Sequence, residues 1–325
     1  MEVSKKRGLR IISLFAGAGG MDLGFAKAGH KIIWVNDNDS DSCLTYEKYF
    51  NHKPICKNIE EVPSNDIPEG DVVIGGFPCQ GFSIANPYRK TEDSRNKLYL
   101  ELKRVIADKK PKYFVAENVM GICSIGGYET NEDKKNHTGR VLKTILKELA
   151  EVNGGYHVEF RILNAADFGV PQMRRRIIIL GTRKDVPHIL KHPQPTHNRN
   201  GENGLSKWKT VREALNGLPE HPTENFPNHI GTKHKVKING HLGNRATKWD
   251  AASPTIVGRG GGTGGPVIIP HPNLDRRMTV RETARIQCFP DDFIFEGAVT
   301  SQFRQIGNAV PWPLAYHVAK MLPVD

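Results

Sequence analysis

Residues 10–182 alternate between short apolar runs and amphipathic stretches, and this alternation restricts the fold more than any other feature of the chain. Apolar runs bounded by Gly, Pro or Asp are typical of buried parallel strands. The amphipathic stretches carry apolar residues at helical spacing. Strands and helices in alternation predict an α/β fold with a doubly wound, mostly parallel sheet. The predicted strands are 10–15, 31–36, 71–75 and 112–116, and the predicted helices are 22–28, 40–50, 96–108 and 139–150.

Two further strand-like runs, 157–163 and 176–182, follow the last of these helices. A short polar loop joins them, which predicts an antiparallel pair at one edge of the sheet. The alternation ends near Arg183, and the sequence beyond it is rich in proline, asparagine and charged residues. The chain therefore changes its architecture at this point.

The sequence beyond Arg183 looks helical only within 210–218, 279–287 and 302–320. This change in pattern predicts two domains of unequal size. The first spans 1–183 and is completed by a C-terminal helix within 304–325, the smaller second domain spans 184–275, and a linking segment spans 276–303.

Positive charge is concentrated in one part of the chain. The sequence has 46 Lys and Arg against 35 Asp and Glu, a net charge of +11 at pH 7. Residues 183–245 hold 11 of the basic residues and 5 of the acidic ones, so this short stretch supplies more than half of the excess. A basic segment of this density favours nucleic acid as a partner. A solvated basic loop region explains the same charge equally well.

Composition excludes several protein classes. No apolar run approaches the roughly 18 residues that a bilayer-spanning helix needs. The five cysteines have no Cys-x-x-Cys spacing and no His-Glu-x-x-His pair occurs, so neither a disulfide framework nor a metal site is indicated. Basic residues precede the apolar run 11–18 as in a signal peptide, but the run ends in glycines. We expect a cytoplasmic protein that binds no metal and no membrane.

The loop Phe15-Ala16-Gly17-Ala18-Gly19-Gly20 follows the first predicted strand. Its glycines permit a tight turn and a close approach of the backbone to a ligand. Asp22 stands where a Gly-x-Gly-x-x-Gly motif has its last glycine, which disfavours a nicotinamide cofactor. The second strand ends at Asp37, twenty residues past Gly17, where a carboxylate binds the two hydroxyls of a ribose. A glycine turn alone has a purely structural explanation, but with Asp37 the pattern favours an adenosine-type cofactor.

Two reactive side chains follow predicted strands. Cys79 lies in the glycine-rich loop 75–83, at the sheet edge where active sites of α/β proteins form. A buried structural cysteine is the alternative, and the polar, glycine-rich flanks disfavour it. Glu117 ends the strand after that, where burial would raise the pKa of its carboxyl. A solvated glutamate at a strand end is the alternative there.

The segment before the last predicted strand carries three consecutive arginines. In an extended chain Arg174 and Arg176 point to one side and Arg175 to the other. Two aligned guanidinium groups suit phosphate or carbonyl oxygens, whereas a solvated sheet edge explains the same residues without a ligand. Gly307 and Asn308 are expected to precede a helix, where they suit a tight helix entry or a backbone wall against a ligand.

Taken in order along the chain, these segments resemble those of the C5-cytosine DNA methyltransferase family over nearly the full length. Each segment alone is weak evidence for a family, and the resemblance depends on the order in which they occur. The matching segments are Phe15 to Gly20, Pro78-Cys79-Gln80, Asp93-Ser94-Arg95-Asn96-x-Leu98, Glu117-Asn118-Val119, Gln172-x-Arg174-x-Arg176, Arg245 with Ser253-Pro254-Thr255-Ile256, and Gly307-Asn308.

The resemblance implies a role for each matched residue. Cys79 is the expected nucleophile that adds to carbon 6 of the target cytosine, and Glu117 is expected to protonate or hydrogen-bond the ring nitrogen. Arg174 and Arg176 are expected to hold the flipped base and the nearby backbone. The expected contacts of S-adenosylmethionine are Phe15, Ala16, Gly17, Gly19, Gly20, Asp37, Asn38, Asn58, Ile59, Pro78, Leu98 and Asn308. The expected DNA-binding residues are Gln80, Ser83, Lys233, Lys235, Lys237 and Arg245.

The chemistry of this family requires such residues. Carbon 5 of cytosine is a poor nucleophile until a thiolate adds to carbon 6, and a free cysteine with a pKa of about 8.5 needs surroundings that favour the anion. The base must leave the duplex before it can react. The resemblance thus implies S-adenosylmethionine as donor, S-adenosylhomocysteine as product, no metal, and duplex DNA bound between a catalytic and a target-recognition domain.

The length leaves no room for added regulatory domains, so we expect a stand-alone bacterial or archaeal modification methylase. We expect a monomer whose restriction-modification system includes a cognate endonuclease that it does not contact. Two residues depart from the family pattern. Asn38 stands where relatives often stack a large side chain on adenine, and Asn58 stands where an Asp usually receives the adenine amino group, although its carbonyl oxygen accepts the same hydrogen bond.

Three other functions fit parts of the sequence. Relatives that methylate cytosine in transfer RNA share the chemistry, but their additional Cys-Phe-Thr motif is not found. A non-catalytic nucleic-acid-binding relative is disfavoured because Cys79, Glu117 and both arginines are present. A hydride-transfer enzyme is disfavoured by Asp22 in the glycine loop.

Overall fold

The computed structural model describes residues 8–77, 98–230, 247–258, 269–273 and 276–324. Its strands are β1 Arg10–Leu14, β2 Lys31–Asp37, β3 Ile55–Cys56, β4 Val72–Gly76, β5 Tyr113–Val119, β6 Tyr156–Asn164, β7 Arg175–Arg183, β8 His197–Asn198 and β9 Ser206–Lys207. Its helices are α1 Gly20–Lys27, α2 Ser40–Phe50, α3 Leu98–Lys109, α4 Asn131–Asn136, α5 Arg140–Ala150, α6 Val211–Leu215, α7 Val280–Ile286, α8 Val299–Asn308 and α9 Trp312–Ala319.

Seven strands form one sheet in the order β3-β2-β1-β4-β5-β7-β6. The first five are parallel, and β7 is antiparallel to both β5 and β6. The predicted doubly wound α/β sheet with an antiparallel edge pair is therefore confirmed. The strand order reverses direction between β1 and β4, and the crevice at such a point is where open α/β sheets bind ligands.

Helices cover both faces of the sheet because successive residues of a buried strand point to opposite sides. Ile12 of β1 packs with Leu102 of α3 and Ile145 of α5 in one hydrophobic cluster. Ile11, its neighbour, packs on the other face. The cluster on that face includes Phe25 of α1 and Leu314 of α9. The C-terminal helix α9 thus belongs to the same layered unit as the first strand.

A buried histidine fixes the contact between the two ends of this unit. Nδ1 of His30 accepts a hydrogen bond from the Leu9 backbone at 3.2 Å, and its Nε2 lies 3.1 Å from the carbonyl oxygen of Ala319 in α9. Only the neutral ring can accept at one nitrogen and donate from the other. Burial accordingly lowers the pKa of His30.

A third hydrophobic cluster lies outside the two faces of the sheet. Val211 of α6 and Ile256 pack there with Val280 of α7 and Phe303 of α8. Residues on both sides of the predicted boundary at 275 and 276 therefore share one core. The domain boundaries stay a prediction. A chimera that replaced only residues 184–275 would divide this hydrophobic cluster.

One element differs from the sequence-based expectation. Gly307 and Asn308 were expected to precede a helix, but they are the last residues of α8, and the expected helix within 302–320 is two helices. The break falls before Pro311, which caps α9. Proline lacks a backbone N–H and disfavours helical geometry in the preceding residue, so one continuous helix cannot form through this position. No helix within the described ranges is long and apolar enough to span a membrane.

Candidate active site

A cavity of about 610 Å³ opens at the carboxyl ends of β1, β2, β4 and β5. Its volume lies in the range of pockets that bind small molecules and cofactors. Twelve of the predicted site residues line it: Phe15, Ala16, Gly17, Asp37, Asn38, Asn58, Ile59, Leu98, Glu117, Arg174, Arg176 and Asn308.

Other predicted site residues are placed differently or fall outside the described part of the chain. Gly19 precedes α1 and Gly20 is its first residue; neither is among the described residues that line the cavity, and a side chain on Gly19 would collide with the Tyr46 and Phe50 rings. The remaining predicted residues lie outside the described residues: Pro78, Cys79, Gln80, Ser83, Lys233, Lys235, Lys237 and Arg245.

Asp37 closes the glycine loop. Its Oδ2 accepts a hydrogen bond from the Gly17 backbone N–H at 2.7 Å, and its Oδ1 accepts one from the Asp39 N–H at 2.9 Å. Gly17 has a φ of +55°, which favours glycine at this turn. Burial raises the pKa of the Asp37 carboxyl, and these two hydrogen bonds oppose the rise. The carboxylate keeps lone pairs free for hydroxyl donors in the cavity.

Asp22 is a second acidic group at the cavity, and no sequence signal indicated this role. It is fully buried, and its two oxygens accept hydrogen bonds from Ser13 Oγ at 2.7 Å and from the Tyr46 hydroxyl at 2.8 Å. Burial raises the pKa of Asp22 to about 6, although both hydroxyls oppose the shift. The three side chains join α1, β1 and α2 behind the glycine loop.

The two residues that depart from the family pattern contact each other. Nδ2 of Asn38 donates to Oδ1 of Asn58 at 2.8 Å, and Nδ2 of Asn58 donates to Oε1 of Glu61 at 3.0 Å. Because a carboxylate only accepts, Glu61 fixes the orientation of the Asn58 amide. The Asn58 oxygen therefore faces Asn38 and retains one lone pair.

Glu117 and Arg176 form a buried ion pair at the cavity wall. Nε of Arg176 lies 2.8 Å from Oε1 of Glu117, and both side chains are about nine-tenths buried or more. Burial raises the pKa of Glu117, and the guanidinium groups of Arg176 and Arg174 oppose the rise. Oε1 accepts no directed hydrogen bond from any described residue. The oxygen is paired with the charge of Arg176 and still has a lone pair for a ligand donor.

Arg174 connects separate parts of the cavity wall. Its Nη1 donates to the carbonyl oxygen of Ile256 at 2.6 Å and its Nη2 to that of Gly307 at 2.9 Å. Its Nε has no hydrogen-bond partner among the described residues. Arg174 and Arg176 are buried whereas Arg175 is exposed, as the alternation of an extended chain predicts.

Two buried glutamines support these arginines. Gln172 accepts from the Ile256 backbone N–H at 2.9 Å and donates to Gln287 at 2.9 Å. Gln287 in turn donates to the carbonyl oxygens of Ile306 at 2.6 Å and Ala309 at 3.3 Å. In the sequence, Gln172 was identified only as part of the segment that matches the family, and no sequence signal identified Gln287.

Asn118 positions the end of a neighbouring strand. Its Nδ2 donates to the carbonyl oxygen of Phe77 at 3.1 Å, and its Oδ1 accepts from the Val119 N–H at 2.8 Å. The amide therefore connects the end of β5 to the residue that precedes 78–97. Glu117, its neighbour in the sequence, faces the same crevice. Among the described residues, no group of three or more His, Cys, Asp or Glu side chains is arranged to hold a metal ion.

Comparison with known proteins identifies the family. Residues 9–323 match the model of the C-5 cytosine-specific DNA methylase family. The chain belongs to this family. It is a DNA (cytosine-5-)-methyltransferase, and the resemblance found in the sequence is confirmed. A hydride-transfer enzyme is thereby excluded.

Relatives of this C-5 cytosine methylase support the assignment. The chain is 36% identical to the Type II methyltransferase M.NgoFVII of Neisseria gonorrhoeae, covering 97% of this chain and 87% of that one. It is 35% identical to the Type II methyltransferase M.MthTI of Methanothermobacter thermautotrophicus, covering 97% of each. A crystal structure of a prophage-encoded putative DNA modification methyltransferase from E. coli matches with a TM-score of 0.68 and 25% identity, covering 97% of this chain and 98% of that one.

Proposed function

We propose that this methylase transfers a methyl group from S-adenosylmethionine to carbon 5 of a flipped-out cytosine in a short, specific duplex DNA sequence. The transfer runs through a covalent adduct of the Cys79 sulfur with carbon 6, and the enzyme serves a restriction-modification system. The observation that carries the proposal is the buried pair of Glu117 and Arg176 at the wall of a cavity that also holds Asp37.

Glu117 is suited to work on the pyrimidine ring. Addition of the Cys79 thiolate to carbon 6 pushes an electron pair onto ring nitrogen 3, and that nitrogen then needs a proton or a strong donor. A carboxyl whose pKa burial raises holds a proton more readily than a solvated one. Oε1, which accepts no directed hydrogen bond from a described residue, is available to the exocyclic amino group. Arg176 then keeps the carboxylate in place after it has given up the proton.

The cavity residues also suit the methyl donor. Asp37 is held by two backbone N–H groups with lone pairs left over, which is the arrangement that binds a pair of ribose hydroxyls. Asn58 has an oriented carbonyl oxygen for an amino group. When bound, S-adenosylmethionine supplies the electrophilic methyl carbon. Gly17 and Asn308 line the cavity that would hold it.

The proposal also assigns a role to residues 184–275 and a cellular location to the enzyme. Residues 184–275 choose the target sequence, and their excess positive charge binds phosphates. The enzyme acts in the cytoplasm as a monomer and needs no contact with a cognate restriction endonuclease.

Covalent trapping tests the proposal. Deamination sequencing of DNA treated with enzyme and S-adenosylmethionine first identifies the modified cytosine. A duplex with 5-fluorocytosine at that position should then give a donor-dependent adduct that survives denaturation, because fluorine cannot leave as a proton does. Cys79→Ala should form no adduct while still binding the donor. Cys56→Ala, which removes an exposed thiol on β3, should trap like the wild type. An adduct that persists in Cys79→Ala contradicts the mechanism.

A further inference from the structure

Arg104 of α3 binds a short irregular segment of the chain with its whole guanidinium group. Nη2 donates to the carbonyl oxygen of Ile59 at 3.0 Å and to that of Val62 at 3.2 Å. Nη1 donates to Ser64 Oγ at 2.6 Å, and Nε donates to Glu101 of the same helix at 2.8 Å. All three guanidinium nitrogens therefore donate hydrogen bonds: Nη1 and Nη2 to this segment, and Nε to α3 itself.

The segment that Arg104 binds has little regular structure of its own. Between β3 and β4 the chain forms two single turns of 3-10 helix, Ile59–Glu61 and Ser64–Asp66. Carbonyl groups at the end of such a turn lack the donors that a longer helix would supply. Hydrogen bonds from a charged donor are stronger than those between neutral groups. The Arg104 guanidinium therefore supplies a donor for the Val62 carbonyl and a second donor for the Ile59 carbonyl, which also accepts from the Val62 N–H at 3.1 Å.

Both ends of this contact lead to the cavity. Asn58, Ile59 and Leu98, the first residue of α3, all line the cavity. Ile59 also packs with Leu102 of α3 in the same hydrophobic cluster. Because α3 is a continuous helix of 12 residues, the hydrogen bonds of Arg104 fix the position of the turn at Ile59 relative to Leu98. Arg104 itself is not among the described residues that line the cavity.

We infer that Arg104 is a positioning residue for the methyl-donor pocket, an inference that rests on the proposed function. Arg104 acts through the wall formed by Asn58 and Ile59 and touches no ligand. A pocket that is held in its binding geometry spends less free energy on ordering when the ligand arrives. Loss of the guanidinium therefore weakens donor binding, while the chemical step, which uses Glu117 and Arg176, proceeds at nearly the same rate once the donor is bound.

The expected effects separate positioning from general stability. Arg104→Met keeps the length of the side chain and removes all donors, and we expect the Kd of S-adenosylhomocysteine to rise about tenfold. The rate at saturating donor should stay within about twofold, and the KM for DNA should not change. Arg104→Lys should recover part of the affinity, because an ammonium donates to one or two of these oxygens but cannot bridge all of them.

The test is calorimetric titration of the full-length enzyme with S-adenosylhomocysteine, combined with rates at saturating donor. Arg183→Met is the matched control, since Arg183 at the far end of β7 also binds a carboxylate, that of Asp185, and a backbone carbonyl away from the cavity. An unchanged Kd in Arg104→Met, or an equal rise in Arg183→Met, overturns the inference. If Arg104→Met does not fold, Arg104→Lys decides by the same criterion. Failure of the wild type to bind S-adenosylhomocysteine overturns the proposed function, and this inference with it.

Discussion

Nε of Arg176 lies 2.8 Å from Oε1 of Glu117, and the two residues come from adjacent strands that run in opposite directions. Arg176 lies directly opposite Val119, so Glu117 is its diagonal neighbour on the same face of the sheet. The antiparallel strand β7 thus brings a cation to the end of a parallel strand, where the acid faces the cavity. This pairing underlies the first two predictions.

Glu117→Gln should lower single-turnover methylation by about 10²–10⁴-fold, because an amide cannot deliver a proton to the pyrimidine ring. The affinity for DNA should change far less. The measurement is a single-turnover assay with saturating enzyme, and Glu159→Gln, on exposed β6, is the control that should keep the wild-type rate. A Glu117→Gln variant that loses DNA affinity but keeps its single-turnover rate contradicts the acid role.

Arg176→Met should destabilise the fold by about 3–5 kcal/mol at pH 8, because it leaves the Glu117 carboxylate buried without its counter-charge. Burial already raises the pKa of Glu117, and without Arg176 nothing of equal strength opposes that rise. A buried acid with a raised pKa loses stability as the pH rises, so the loss should be smaller at pH 5.5 than at pH 8. Urea unfolding at both pH values checks this. The double variant with Glu117→Gln should recover part of the loss, and a loss independent of pH would refute the explanation.

Asp22→Asn should stabilise the protein at neutral pH. Burial raises the pKa of Asp22 to about 6 from an ordinary value of 3.8, so ionisation above pH 6 costs up to about 3 kcal/mol of folding free energy. The cost falls as the carboxyl of the folded protein protonates. The gain from Asn should therefore grow by about 1 kcal/mol between pH 5 and pH 8.

Denaturant unfolding of Asp22→Asn and wild type across this pH range measures the effect. Asp41→Asn, on the same helix as Tyr46, is the control. A gain that shrinks as the pH rises would show that Asp22 is not the titrating group.

Gln287→Leu should destabilise the protein by about 3 kcal/mol, because the buried Nε2 of Gln172 loses its acceptor and the Ile306 carbonyl keeps only the 3.3 Å bond from the Ala309 N–H. Gln172→Leu should have a similar cost, since the Ile256 N–H also loses its acceptor. The double variant should cost less than the sum of the single ones, because each single variant already breaks the bond they share. Strict additivity in a double-mutant cycle measured by urea unfolding would contradict this contact.

Sequence specificity should move with the recognition segment, provided that its core moves with it. Val211 and Ile256 share a hydrophobic cluster with Val280 and Phe303. A chimera that places residues 184–308, which include the whole of α8, on the catalytic part of another family member should therefore fold and methylate the site of this enzyme. A chimera with 184–275 alone mixes two unrelated cores and should be less stable. Deamination sequencing reads the specificity, and methylation of the catalytic donor's own site by the larger chimera would refute this division of labour.

The layers of the fold and the family could both be predicted from the amino-acid sequence. The strands and helices before Arg183 follow from apolar spacing, which is a local property that survives in any globular context. The order of the glycine loop, Glu117 and the arginines then indicated the family, because the chemistry demands those residue types at the ends of particular strands. Alternation along an extended chain even placed Arg174 and Arg176 on one side.

The hydrogen-bond and ion-pair partners of these side chains became known only from the folded structure. The pairing of Glu117 with Arg176 and the bonds of Arg174 to Ile256 and Gly307 join segments that are far apart in the chain. The bond from Tyr46 to the buried Asp22 joins two separate helices. No spacing or period in the sequence encodes such contacts, because hydrogen-bond partners and burial are set when separate segments pack together. The pKa values follow from the same packing, since desolvation and nearby charge exist only once those segments have met.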